Sequence, residues 1–186
     1  MKLSSLSIPE KWILKGVPIL FFIGSILHFT YTLFGESIFV GLFSPVNESV
    51  WEHSKMILWP MILWWVLYYC FRGTNYKIDK NRWFSSALWA LLTSLIAMPM
   101  LYYFYTSAFG VELLWVDIII LFLAILFGQL LGLHSYRHGK YISSHIVLAI
   151  FSILILMFIL FTFCPPKVPW FQDGPTGNYG IAMHFA

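Results

Sequence analysis

Five apolar stretches, at about residues 12–34, 50–71, 84–105, 113–135 and 142–164, constrain this chain more than any other feature. A helix rises 1.5 Å per residue, so about 20 apolar residues cross a hydrocarbon core roughly 30 Å thick. Only helices and closed barrels satisfy their backbone polar groups at that depth, and runs of this length read as helices. The expected fold is all-α: a polytopic bundle of about five transmembrane helices, one domain over 1–186, ending in a Pro- and Gly-rich tail at 165–186. Composition agrees. The chain is 60% hydrophobic and 10% charged, against about 25% charged in soluble domains.

The basic residues give the bundle a direction. Of the 11 lysines and arginines, all but Lys55 and Lys167 fall in segments on the amino-terminal side, from Lys2 to Lys140. The positive-inside rule then places the amino terminus in the cytoplasm and the tail outside. This asymmetry accounts for the net charge of +3 without a nucleic-acid partner, and the implied partner is the lipid bilayer. Trp12–Phe34 is longer than a signal-peptide core of roughly 7–15 residues and reads as an uncleaved first span. Cys70 and Cys164 fall on opposite membrane faces, so no bond between them is expected.

Packing signals accompany the spans. Gly128 and Gly132 form a GxxxG pattern that admits a close neighbour, and Ser86, Ala90, Ser94 and Ala97 form a small-residue stripe on the preceding span. Trp12, Trp51, Tyr68, Tyr69, Trp83, Tyr102, Tyr103, Trp115 and Tyr141 lie near span ends and read mostly as interfacial anchors.

Chemistry concentrates in SPVNESVWEHSK, residues 44–55. The uninterrupted apolar run behind it, Met56–Phe71, has 16 residues and rises only about 24 Å. Either the bilayer thins or the helix carries Lys55, His53 and Glu52 into the outer leaflet. Ser44 followed by Pro45 reads as the helix start. On such a helix Glu48, Glu52 and Lys55 fall within about 60° of one another, with His53 on another side. His28 lies at similar depth on the first span, and Asp117, with Glu112 above it, on the fourth. Convergence of His28, Glu48, Glu52, His53 and Asp117, flanked by Asn47 and Lys55, makes an outward-facing acidic pocket for a cation, a proton or a small polar solute. Within that set His28, His53 and Glu52 are candidate ligands for a divalent metal such as zinc. The competing structural reading has the glutamates complementing a helix dipole and Glu52–Lys55 forming an interfacial ion pair.

A second histidine group, His134, His138 and His145, occupies the turn between the fourth and fifth spans. It reads first as an exposed polar turn, and otherwise as a zinc or haem site. In the tail, prolines and glycines exclude a regular helix, while Trp170, Phe171, Tyr179 and Ile181 argue against free solvation. A lid that offers Asp173 or His184 to the pocket, interfacial adsorption and disorder all remain open.

The PVNESVWEH-x-K segment resembles a group of small bacterial multi-pass proteins assigned to a domain of unknown function. That resemblance implies a bacterial plasma-membrane protein and carries no activity. Glu48, Ser49 and His53 are also faintly similar to alkaline ceramidase-like hydrolases, but span count and histidine spacing depart from that pattern. Three functions are therefore expected in competition. The first is binding or transport of a cation, proton or polar solute, where transport by so few spans implies a homo-oligomer. The others are a metal-dependent intramembrane hydrolase or lipid-modifying enzyme, and a non-catalytic assembly protein.

Overall fold

The structure is a computed structural model describing residues 6–181, so Lys2 and the proposed lid residue His184 lie outside the described residues. Its helices are α1 (Ile8–Leu33), α2 (Ile38–Gly41), α3 (Val50–His53), α4 (Lys55–Arg72), α5 (Lys80–Phe109), α6 (Leu114–His138) and α7 (Ser144–Phe163), followed by a 3₁₀ turn, Pro169–Phe171. Helices α1, α5, α6, α7 and the joined pair α3–α4 (Val50–Arg72) are long and apolar enough to cross a membrane. They alternate in direction. One end of the bundle holds the starts of α1, α5 and α7, and the other holds the tail.

Local chemistry sets the boundaries. The Ser7 amide donates to Glu10 Oε2 at 2.7 Å, satisfying one of the orphan donors at the α1 start. Asp79 accepts from the Arg82 amide at 2.7 Å to begin α5, and Gly110, at φ 66°, ends it, where the missing Cβ removes the penalty for a left-handed residue.

Helices α5 and α6 form the most intimate pair. A Cβ at Gly128 would collide with the Ala90 carbonyl and the Ser94 side chain, and one at Gly132 would lie 2.9 Å from Ala90 Cβ. The GxxxG face therefore meets the small-residue stripe, and Ser94 Oγ reinforces the seam by donating to the Ala124 carbonyl at 2.8 Å. Aromatic packing fills the α1–α4–α5 side. Trp12 stacks on Trp64 with centroids 4.0 Å apart, and Trp83 donates to the Trp65 carbonyl at 2.9 Å.

This core revises the reading of the aromatics as interfacial anchors. Trp83, Tyr68 and Trp51 are 0%, 3% and 6% exposed, whereas Trp115 is 62% and Tyr141 59% exposed. Position along a span gives depth but not face, and these faces differ.

The start of the second span also differs from expectation. Ser44 does not cap a helix, and its hydroxyl donates back to the Val40 carbonyl at 2.9 Å. The cap is Ser49, whose Oγ accepts from the Glu52 amide at 3.3 Å, so the helix starts at Val50 and Glu48 lies in the loop before it. Ser54 interrupts the helix between α3 and α4.

The tail docks onto this segment. Asn47 Nδ2 donates to the Gly180 carbonyl at 3.0 Å, and the Ile181 amide to the Thr162 carbonyl at 2.9 Å. Trp51 stacks on Phe158 at 4.2 Å and meets Phe171 at 4.8 Å. Of the three tail conformations considered, the residues through Ile181 adopt the docked one.

Candidate functional site

Moving the helix start to Val50 separates the two glutamates. Glu52 faces into the protein and Glu48 faces a cavity.

Glu52 and Lys55 are 1% and 0% exposed, and Lys55 Nζ donates to Glu52 Oε2 at 2.6 Å. Burying two opposite charges is tolerated when the remaining donors and acceptors are satisfied, and here they are. Lys55 Nζ also donates to the Gly41 carbonyl at 2.6 Å. Glu52 accepts from the Val46 amide at 3.1 Å and shares the single Thr162 hydroxyl proton, at 3.3 Å, with the Phe158 carbonyl at 2.9 Å. The pair thus joins the α2 turn, α3–α4 and α7, and neither member lines the cavity. Asn47 is also away from it. Its Oδ1 accepts from the Ser49 amide at 3.0 Å while its amide nitrogen holds the tail.

His28, Glu48 and His53 form the other constellation. One ligating atom from each lies within 4.8 Å of the others, a grouping of potential metal ligands that His134, His138 and His145 do not form among the described residues. His134 and His138 do lie beside each other, with centroids 5.2 Å apart. The rings of His28 and His53 stack at 5.1 Å, and His53 Nε2 is 3.3 Å from Glu48 Oε2.

The tautomer of His53 follows from its neighbours. Its Nδ1 faces the Ser49 carbonyl at 3.0 Å, which can only accept, so Nδ1 carries a proton. A protonated ring donates Nε2–H to the Glu48 carboxylate as an ion pair, whereas the neutral ring turns a lone pair toward it, an arrangement in which a metal ion can stand where the proton was. His28 adds a buried Nδ1 with no hydrogen-bond partner among the described residues. The His53 ring beside Glu48 holds its carboxyl below the usual carboxylate range, outweighing the raising effect of partial burial.

The three groups open on a cavity of about 310 Å³, whose walls include Asp117, Glu112 and Tyr102 with Phe29, Met98 and Leu121. Tyrosines orient the added carboxylates: Tyr105 Oη donates to Asp117 Oδ1 at 2.7 Å, and Tyr102 Oη to Glu112 Oε1 at 2.8 Å. The sequence reading makes Tyr102 an interfacial anchor and does not single out Tyr105. Their spacing on α5, opposite Glu112 and Asp117 across a short turn, is the signal that finds them.

A second recess, of about 240 Å³, adjoins the first. It shares the walls Glu48, Val50 and Tyr102 and adds the tail residues Gln172, Asp173 and Gly174. Asp173 Oδ1 accepts from the Glu48 backbone amide at 2.8 Å, so the tail fixes the loop that carries a candidate ligand.

Sequence comparison adds no activity, since no curated protein and no solved structure matches the chain. A family model does match, over residues 1–181: the chain belongs to DUF6512, a family of unknown function.

Proposed function

We propose that this is a multi-pass protein of a bacterial plasma membrane, tail outward, which binds a divalent cation of zinc's class between His28, Glu48 and His53. The grouping of three donors within 4.8 Å carries this reading. Two ligands about 2.0–2.1 Å from a tetrahedral zinc lie about 3.4 Å apart, and His53 Nε2 and Glu48 Oε2 are 3.3 Å apart. The wider spacings in the group, up to 4.8 Å, would have to close for all three to hold one ion. Two imidazoles and a carboxylate with a fourth position open is the donor set of catalytic rather than structural zinc. The Ser49 carbonyl supplies the outer contact that orients a ligating imidazole.

Outward sidedness is supported by the concentration of basic residues at the opposite end of the bundle. The reading is of cation binding, not passage. The cavity walls belong to the tail end, and no residue of the His134–His145 turn lines them.

The test is metal analysis of protein purified in detergent and dialysed against zinc. One zinc per chain is expected for the wild type, with affinity reduced about a hundredfold or more in Glu48→Gln and His53→Ala. Wild type that emerges free of zinc, or variants that bind it equally well, would refute the site.

A further inference from the structure

We propose that this site hydrolyses a single-chain acyl ester or amide whose head is uncharged or cationic, an assignment that rests on the metal reading above. The two recesses differ in character and meet at Glu48. The larger is walled mainly by apolar side chains, among them Met56, Met98, Ile118 and Leu121, and the smaller by Glu48, Tyr103, Gln172 and Asp173. A molecule spanning both has a hydrocarbon part in one and a polar part in the other, with the bond between them beside His53 and Glu48.

The apolar cavity reaches side chains on the surface of the bundle. Helices α1 and α6 touch at Phe21 and Phe122, 5.7 Å apart. Nearer the tail end the cavity is walled by α1, α3, α4, α5 and α6, with a slot edged by Phe29 of α1 and Leu114 and Ile118 of α6, which are 67%, 74% and 46% exposed. In a bilayer that slot faces lipid chains. At about 310 Å³ it lies at the low end of the roughly 300–1,000 Å³ usual for small-molecule sites, room for one chain.

Charge narrows the head group. Glu48, Glu112, Asp117 and Asp173 line the two recesses, and among the described residues no lysine or arginine does. An anionic phosphate is disfavoured there.

The reaction balances without a redox partner. Water in the cavity would give a proton to Asp117, which lines the same cavity and is oriented by Tyr105 through Oδ1, and would add to the acyl carbon. The tetrahedral adduct collapses with cleavage of the acyl C–O or C–N bond. Asp117 returns its proton to the leaving oxygen or nitrogen, giving a carboxylic acid and an alcohol or amine.

The experiment uses full-length, zinc-loaded protein in detergent micelles with decanoyl glycerol, decanoyl ethanolamide and decanoyl glycerol phosphate. Release of decanoate from one or both uncharged substrates is expected, at least about tenfold faster than from the phosphate. Asp117→Asn should keep its zinc and lose about a hundredfold in kcat. Ile118→Trp, at the slot, should lower kcat/KM for the decanoyl ester about tenfold more than for the acetyl ester. No decanoate release by protein that holds one zinc per chain overturns the hydrolase and leaves the metal site standing. Protein without zinc overturns both. Equal rates on the phosphate overturn the head-group assignment, and full activity in zinc-bound Asp117→Asn overturns the role of that carboxylate.

Discussion

Two glutamates four residues apart have opposite surroundings. Glu52 is buried against Lys55, the Val46 amide and Thr162. Glu48, with a side chain 54% exposed, has the imidazole of His53 and faces a cavity. The satisfied pair is an internal fastener that ties three segments together. The partly satisfied one leaves binding capacity unspent, and a ligand needs that capacity. Charge at membrane depth marks a place worth inspecting, but hydrogen-bond accounting decides whether that place is structural or functional.

This contrast can be broken by experiment. Glu52→Ala strands a buried ammonium and should destabilise the fold by about 3–5 kcal/mol in detergent denaturation, whereas the double change Glu52→Leu with Lys55→Met should recover most of that loss. A single variant as stable as wild type would dissolve the distinction. Zinc at a hundred times its dissociation constant should add about 2.7 kcal/mol to wild type and to the double variant. It should add nothing resolvable to Glu48→Gln, as read by the zinc dependence of the unfolding midpoint. Asp173→Ala removes the acceptor for the Glu48 amide and should cost about 1–2 kcal/mol, with a severalfold weaker zinc affinity by calorimetry.

The smallest effect is on pH. The carboxyl of Glu48 titrates below its ordinary 4.5 because of His53. Its contribution to stability is therefore complete above that value and lost as pH falls through the lowered one. Metal-free Glu48→Gln should lack this acid-side loss. An identical acid limb in wild type and variant would show that His53 does not hold the carboxylate.

Much of the scaffold was legible because bilayer-length apolar runs and small-residue spacing are local signals. Gly128 and Gly132 do admit a close neighbour, Ala90 of the small-residue stripe. Several of the cavity's polar residues were legible too, since His28, Glu48, His53 and Asp117 are among the few polar groups near that depth, although Glu52, Lys55 and Asn47 were grouped with them and lie outside the cavity. Their pairing was not. It turned on whether Ser44 or Ser49 caps the helix, and two serines five residues apart have similar capping propensity. The Ser49 choice moves Glu48 off the helix and hence off the face shared by Glu52 and Lys55. The tail's grip on Asn47 was also out of reach, because its partner is 133 residues away and nothing local encodes that contact.

The bond from the Glu48 amide to Asp173 crosses 125 positions of sequence. A nascent chain would therefore offer His28, Glu48 and His53 to the surroundings long before the segment that steadies their loop has been made. If the proposed site holds a cation, its full affinity would arrive only with completion of the bundle, and a chain stalled in α7 would bind metal more loosely. Occupancy of the site would then report on whether synthesis had run past Asp173.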